Sequence, residues 1–227
     1  MIGSLKMAKL DFFTMRSQLV TYLSLVVILL SLGVMGSSVI SLGINGASIM
    51  ALMSISIFSI QEKNNLDRLY SSVSIRWKDI VLGRYIFLFL SYIISFSMAI
   101  TIYLIFIPFQ NKPFEFLNII VGFSLSFLVF SVLISMQIPI LFKMGYTKAR
   151  AWALLPYLIV IGLIAAPSYM SGMFGFKDFP SLVNALSKFI DFVQSKQTPM
   201  IIGGILTSCI IQFFSYRVSV VAYRKRN

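Results

Sequence analysis

Residues 61–85 read QEKNNLDRLYSSVSIRWKDIVLGRY, the longest charged interval between two strongly apolar regions. The stretch holds three of the seven acidic residues (Glu62, Asp67, Asp79) and five of the nineteen basic ones (Lys63, Arg68, Arg76, Lys78, Arg84). What flanks it decides the fold. On its N-terminal side no charge occurs from Ser17 to Gln61, a run of 45 residues. As one helix that run would be ~68 Å long, against a hydrocarbon core of ~30 Å. One crossing is too few and two fit. Glycine, serine and asparagine cluster from Gly36-Ser37-Ser38 to Gly43-Ile44-Asn45-Gly46, which predicts a break there. The first two spans are therefore expected at about 19–35 and 44–60, joined by a short outer loop.

On its C-terminal side four more uncharged windows follow. Ile86–Phe109 is the core of a third span over about 80–109, ending at Pro108. The others are expected at 116–142, 151–170 and 200–221. Thr198-Pro199 suits the start of the last, a cap residue followed by proline at the first helical position. The composition agrees: 58% of the chain is hydrophobic and 11% charged, where a soluble domain carries roughly 25% charged residues. The bilayer must be the main solvent. The expected fold is an all-α integral membrane protein, one transmembrane domain over 1–227 with six transmembrane helices and an N-terminal interfacial helix.

Lysine and arginine orient it. With the N-terminus cytoplasmic, the inner segments carry fifteen of these residues and the outer ones four. That places both termini in the cytoplasm and residues 61–79 in a cytoplasmic loop of a multi-pass cell-membrane protein. The net charge of +12 sits at the ends of apolar segments, which suits anionic lipid and not nucleic acid. Within 1–17, Leu5, Ala8, Phe12 and Met15 fall at helical spacing, with Lys6, Lys9 and Arg16 elsewhere on the wheel. A short helix on the cytoplasmic face fits this pattern; so does a frayed terminus with ordinary inner charge. No cleavable signal is evident. Residues 171–197, expected outside the cell, place Phe179, Leu182, Leu186 and Ile190 on one helical face. An outer gate and a plain amphipathic connector fit equally.

Several chemistries are missing. There is no histidine, and the single cysteine, Cys209, lies in an apolar run, so a disulfide framework or a His/Cys metal site is not expected. No phosphate loop occurs, so the chain hydrolyses no nucleotide itself and is not read as an enzyme. The span interiors carry no charge, which argues against ion-coupled transport. Gln137, Gln212 and Tyr216 are the polar groups at membrane depth, and helix–helix hydrogen bonds are their ordinary use. What is left is a protein without its own energy source and with one substantial cytoplasmic loop.

Within that loop Leu66, Leu69, Tyr70 and Val73 fall at helical spacing. A helix from Asn64 or Asn65 to Ser72 is expected, then a second capped by Ser74 with Asp79 in its early turns, where a carboxylate suits the dipole. Such a finger can dock into a groove of a cytoplasmic partner. A solvated loop with ordinary inner charge fits the same residues.

The run Glu62-x4-Asp67-Arg68-Leu69-Tyr70-Ser71-Ser72-Val73-Ser74-Ile75-Arg76-x2-Asp79-Ile80-Val81-Leu82-Gly83-Arg84-Tyr85 resembles the segment after the second span of ABC-2-type transporter permeases. In that family an acidic residue ends the second span, and an Ile-Val-x-Gly-Lys/Arg-Tyr stretch leads into the third. The chain departs from the pattern where the family often has Leu-Pro. It is most similar to the short six-span permeases of Gram-positive peptide and antibiotic exporters, including those for phenol-soluble modulins. The resemblance implies a type V exporter-like fold and pairing with a second permease chain to give twelve spans. It also implies a separate cytoplasmic ABC ATPase that binds ATP and Mg; no cofactor is expected on this chain itself. By position, Glu62, Asp67, Arg68, Leu69, Tyr70, Arg76 and Asp79 become the ATPase-coupling candidates, and the helix of Lys6, Lys9 and Arg16 a second cytoplasmic contact. The expected function is export of amphipathic or apolar cargo, a peptide toxin, antimicrobial peptide or lipid-like molecule. The alternative is a non-transporting immunity or sensor subunit.

Overall fold

A computed structural model describes residues 2–15, 19–64, 66, 76–110, 114, 116–173 and 197–226. Their regular elements are all helical: α1 (Ile2–Met15), α2 (Leu19–Val34), α3 (Val39–Lys63), α4 (Trp77–Phe106, continued by a 3-10 turn over Ile107–Gln110), α5 (Phe116–Met173) and α6 (Gln197–Arg226). Among the described residues four helices are long and apolar enough to cross a membrane: α3, α4 with its 3-10 extension, α5 over Phe116–Leu158 and α6 over Ile201–Lys225. The apolar helix α2, of 16 residues, is about 24 Å long, shorter than the hydrocarbon core.

The helix ends correct the sequence reading in three places. The expected break from Gly36 to Gly46 is real only in its first part: α2 ends at Val34, Gly36 takes a φ of 80°, and α3 begins at Val39. Ser38 is its cap, the hydroxyl accepting the Ser41 amide, and Gly43 and Gly46 lie inside α3. Packing overrides the glycine cluster: a Cβ on Gly43 would meet the Phe96 ring at 2.9 Å, and one on Gly46 the Ser95 hydroxyl at 2.9 Å. Those glycines let α4 come close. Next, α3 runs on to Lys63 and ends at Asn64, while α4 starts at Trp77 with extended Arg76, not Ser74, as its cap. Gln61, Glu62, Lys63 and Asp79 are therefore helical, and the connection shrinks to 64–76. The helix expected over 64–72 lies outside the described residues except for Asn64, which ends α3, and helical Leu66. Finally, the charged segment 143–150 is not a loop. α5 passes through it with one break, at Gly145 (φ 75°, ψ 171°), which divides the helix into arms 116–144 and 146–173.

Lipid tails are as apolar as leucine, so helices associate there through packing and hydrogen bonds. α3 packs on both α4 and α5, and α6 lies along α5. A stripe of Gly204, Ser208, Gln212, Ser215 and Ser219 forms the inward face of α6. Across it the Ser124 hydroxyl donates to the Ile201 carbonyl (3.0 Å), the Gln212 amide to the Ser131 hydroxyl (3.3 Å) and the Ser215 hydroxyl to the Ser135 carbonyl (3.2 Å). The Gln137 amide donates to the Ala153 carbonyl across the Gly145 break, and the Tyr216 ring stands edge-on to Tyr85. All three polar residues singled out at membrane depth thus join helices or arms. Tyr92, fully buried, donates to the Phe123 carbonyl inside a cluster of Phe96, Phe123, Phe127 and Phe130.

Candidate functional site

The described residues that carry the family resemblance, Glu62 and those from Arg76 to Tyr85, converge at one end of the bundle. Gly83, Arg84 and Tyr85 are consecutive in α4, so their side chains point about 100° apart. Each addresses a different neighbour. At Gly83, α1 comes so close that a Cβ would lie 2.6 Å from the Met7 Cβ and 2.7 Å from the Ser4 carbonyl oxygen. Tyr85 shares hydrogen bonds with the hydroxyls of Ser215 and Ser219 on α6. Arg84 is 1% exposed. Its Nε lies 3.0 Å from the Asp11 carboxylate of α1, its Nη2 donates to Gln61 Oε1 at 2.8 Å, and its guanidinium stands 4.6 Å from the Phe58 ring centre. One arginine therefore ties α1 and the end of α3 to the start of α4. Burial pushes the Asp11 carboxyl above its ordinary range, and the Arg84 charge pulls it part of the way back.

α1 buries a different face from the one its apolar spacing suggests. Ser4, Met7, Ala8 and Asp11 are buried, whereas Phe12 and Phe13 are about three-fifths exposed (62% and 60%). Gly83 and Arg84 select the face: one makes room for the α1 backbone, and the other supplies the only charge that Asp11 pairs with among the described residues.

The second junction is Glu62. Its Oε2 accepts the amides of Tyr146 (2.6 Å) and Thr147 (3.1 Å), and Oε1 accepts the Thr147 hydroxyl. These amides open the second arm of α5, where the donors lack intrahelical partners and a negative charge suits the dipole. Glu62 is thus an N-terminal cap supplied by another helix, and Gly145 turns the chain so that the cap can reach. From Arg84 the contact runs on through Phe58, Phe142, Tyr223 and Trp77, with ring centres 5.0 to 5.4 Å apart. The ends of α3 and α6, the start of α4 and the bend of α5 form one packed layer.

Of the other coupling candidates, Arg76 is exposed at the cap of α4 and Asp79 half-buried in its first turn. Asp67, Arg68, Leu69 and Tyr70 lie outside the described residues, as do Arg16 and all four outer-gate residues Phe179, Leu182, Leu186 and Ile190. Lys9 is exposed beside the Phe13 ring; the Lys6 side chain is outside the description. Asp11, Gln61 and Gly145 were not singled out from sequence.

The sequence comparison agrees with this layout. A family model described as ABC-2 family transporter protein matches residues 6–224. The chain belongs to the ABC-2 transporter family. It is a membrane permease component of an ABC transporter and not itself a catalytic subunit, and membership implies association with an ABC ATPase. No curated protein and no solved structure matches it. The match spans both junctions, from α1 to the end of α6, so the resemblance read in residues 62–85 holds at the level of the family.

The Glu62–Gly145 junction gives a direct test. Gly145 has a positive φ that side chains rarely adopt, and such strain is worth of order 1–3 kcal/mol. Gly145→Ala and Glu62→Gln are each expected to lower the melting temperature of the purified protein. Both act on one turn, so the double variant should fall short of the sum. Additive losses would separate the cap from the bend.

Proposed function

We propose that the chain is the six-span permease subunit of an ATP-driven exporter, and that the packed layer around Arg84 and Glu62 is where an ATPase stroke enters the bundle. The observation that carries the reading is the convergence of α1, the charged end of α3, the start of α4, the Gly145 bend and the end of α6. Contacts at the opposite end, Gln110 to the Gly33 carbonyl and Ser124 to the Ile201 carbonyl, support three out-and-back helix pairs. These are α2 with α3, α4 with the first arm of α5, and the second arm with α6. That pairing supports a reading with six crossings, and the excess of lysine and arginine at the end of both termini supports a cytoplasmic side in a cell-membrane protein. In the chain, residues 64–76 directly join the helix of Glu62 to the helix of Arg84, so force on them reaches both junctions. Coupling by Asp67, Arg68, Leu69, Tyr70, Arg76 and Asp79 fits this position; Glu62 acts through the α5 bend. A second permease chain would cover an exposed apolar face of the bundle other than that of α4 and α6, such as Leu23, Val27 and Leu30 of α2. Amphipathic or apolar cargo, such as the peptides of Gram-positive peptide exporters, suits a wall of phenylalanine and serine.

Affinity-tagged chain purified from its native membrane should bring down an ATP-hydrolysing subunit. In proteoliposomes, ATP hydrolysis by that complex should rise with an added amphipathic helical peptide. Arg76→Ala is expected to keep the complex and lose the stimulation. Purification without any ATPase would favour a non-transporting sensor or immunity subunit.

A further inference from the structure

A cavity of about 930 Å³ lies between the start of α4 and the end of α6. Five cationic side chains line it: Arg76 and Lys78 from α4, and Arg217, Arg224 and Lys225 from α6. Arg217 and Arg224, seven residues apart, share one face of α6, and Lys225 reaches the same cavity from about 100° further round the helix. No acidic residue is in the lining, and among the described residues no carboxylate is paired with any of the five. Val220 and Val221 share the wall with Trp77 and Tyr216, the amphipathic rings found where bilayer meets water.

Tyr216 also lines a second cavity, an apolar furrow of about 410 Å³ running down the same pair of helices. Its walls include Leu82, Ile86, Phe89 and Leu90 of α4 and Phe213 of α6. Phe89, Leu90 and Phe213 are each two-fifths or more exposed, so this face of the bundle is turned outward. A basic bowl thus joins an apolar furrow at one residue. Ordinary inner-face charge explains neither the concavity nor the furrow.

We infer that this composite cavity binds an anionic phospholipid, its phosphate headgroup among the five cations and an acyl chain along the α4–α6 furrow. Charge complementarity selects an anionic head, since each cation near the surface attracts anionic lipid. The furrow selects a lipid over free phosphate, because inorganic phosphate would leave the apolar wall unfilled. The lipid would bridge α4 and α6 beside the Trp77–Tyr223 contact, next to the layer described above. The inference rests on the membrane placement of these helices and not on transport.

The test is native mass spectrometry of the purified full chain after incubation with equal phosphatidylglycerol and phosphatidylcholine. Wild type should retain phosphatidylglycerol in about tenfold preference. Arg217→Gln/Arg224→Gln/Lys225→Gln should bring the two lipids to parity. Cys209→Trp, on the furrow wall, leaves every cation in place and should reduce lipid retention itself, which guards against a misfolded triple variant. Inorganic phosphate in large excess should displace little phosphatidylglycerol. Equal retention of both lipids by wild type overturns the inference. Full displacement by phosphate assigns the bowl to a free anion and overturns it too. So does a triple variant that keeps its lipid preference but loses a co-purifying ATPase, since the cations would then serve an acidic protein face. None of these results depends on whether cargo is exported.

Discussion

Arg84→Leu is expected to release α1 from the bundle. The substitution leaves the Asp11 carboxylate facing an apolar contact with no countercharge, and removing one partner of a buried pair costs about 3–5 kcal/mol. The chain has an escape short of unfolding: α1 can swing out and hydrate Asp11. The readout is therefore local, a large rise in hydrogen exchange for the amides of α1 with little change in α4 or α5. Arg84→Leu/Asp11→Leu should regain most of the protection, because a buried pair replaced by apolar groups is often close to neutral. Acidity gives a further arm. Burial already raises the Asp11 carboxyl, and Arg84 is the influence that lowers it; without Arg84 it rises further. A carboxyl raised in the docked state favours docking at low pH and loses that contribution as pH climbs through the raised value. In Arg84→Leu, α1 should dock again as the solution is acidified. Protection that stays at wild-type level in the single variant at neutral pH would mean that the pair does not hold α1.

The membrane class was legible because whole windows lack charge, a property no local packing can disguise. Glu62 and the Gly83-Arg84-Tyr85 run were legible as pattern, through the family resemblance, but their physical tasks were not. Arg84 reads as a surface cation because it borders an apolar window, where lysine and arginine normally face water. Its burial depends on Asp11, far back in the chain, in a helix whose polar residues suggest a solvent face. Gly145 was hidden in the same way. Lys143, Lys148 and Arg150 around it read as an inner loop, yet a carboxylate from α3 caps the next turn and the helix carries on. At Gly43 and Gly46 the local signal pointed to a break, and close packing against α4 outweighed it. Each miss is a long-range contact acting on a residue whose local preference said otherwise.

Gly83→Val should have an effect at least as large as losing Arg84. Helix propensity alone would predict the opposite sign, since glycine is about 1 kcal/mol worse than alanine in a helix interior. Here even the first added carbon lands 2.7 Å from a backbone carbonyl oxygen of α1 and 2.6 Å from the Met7 Cβ. A backbone atom cannot swing aside as a side-chain tip can, so α1 must shift as a body. Overpacking of this kind typically costs 1–3 kcal/mol. The shift also draws Asp11 away from Arg84, whose Nε sits only 3.0 Å from it, and leaves the guanidinium buried with Gln61 as its remaining polar neighbour. Steric and electrostatic losses therefore add at one position. Gly83→Ala should already raise hydrogen exchange across α1, and Gly83→Val should match or exceed Arg84→Leu without disturbing the Glu62 cap. Acidification should not restore docking in Gly83→Val, since the obstacle there is space and not charge. That contrast between two variants one residue apart separates the two ways α4 holds α1. A Gly83→Ala protein with unchanged exchange and a higher melting temperature would show that α1 does not press on α4 at this point.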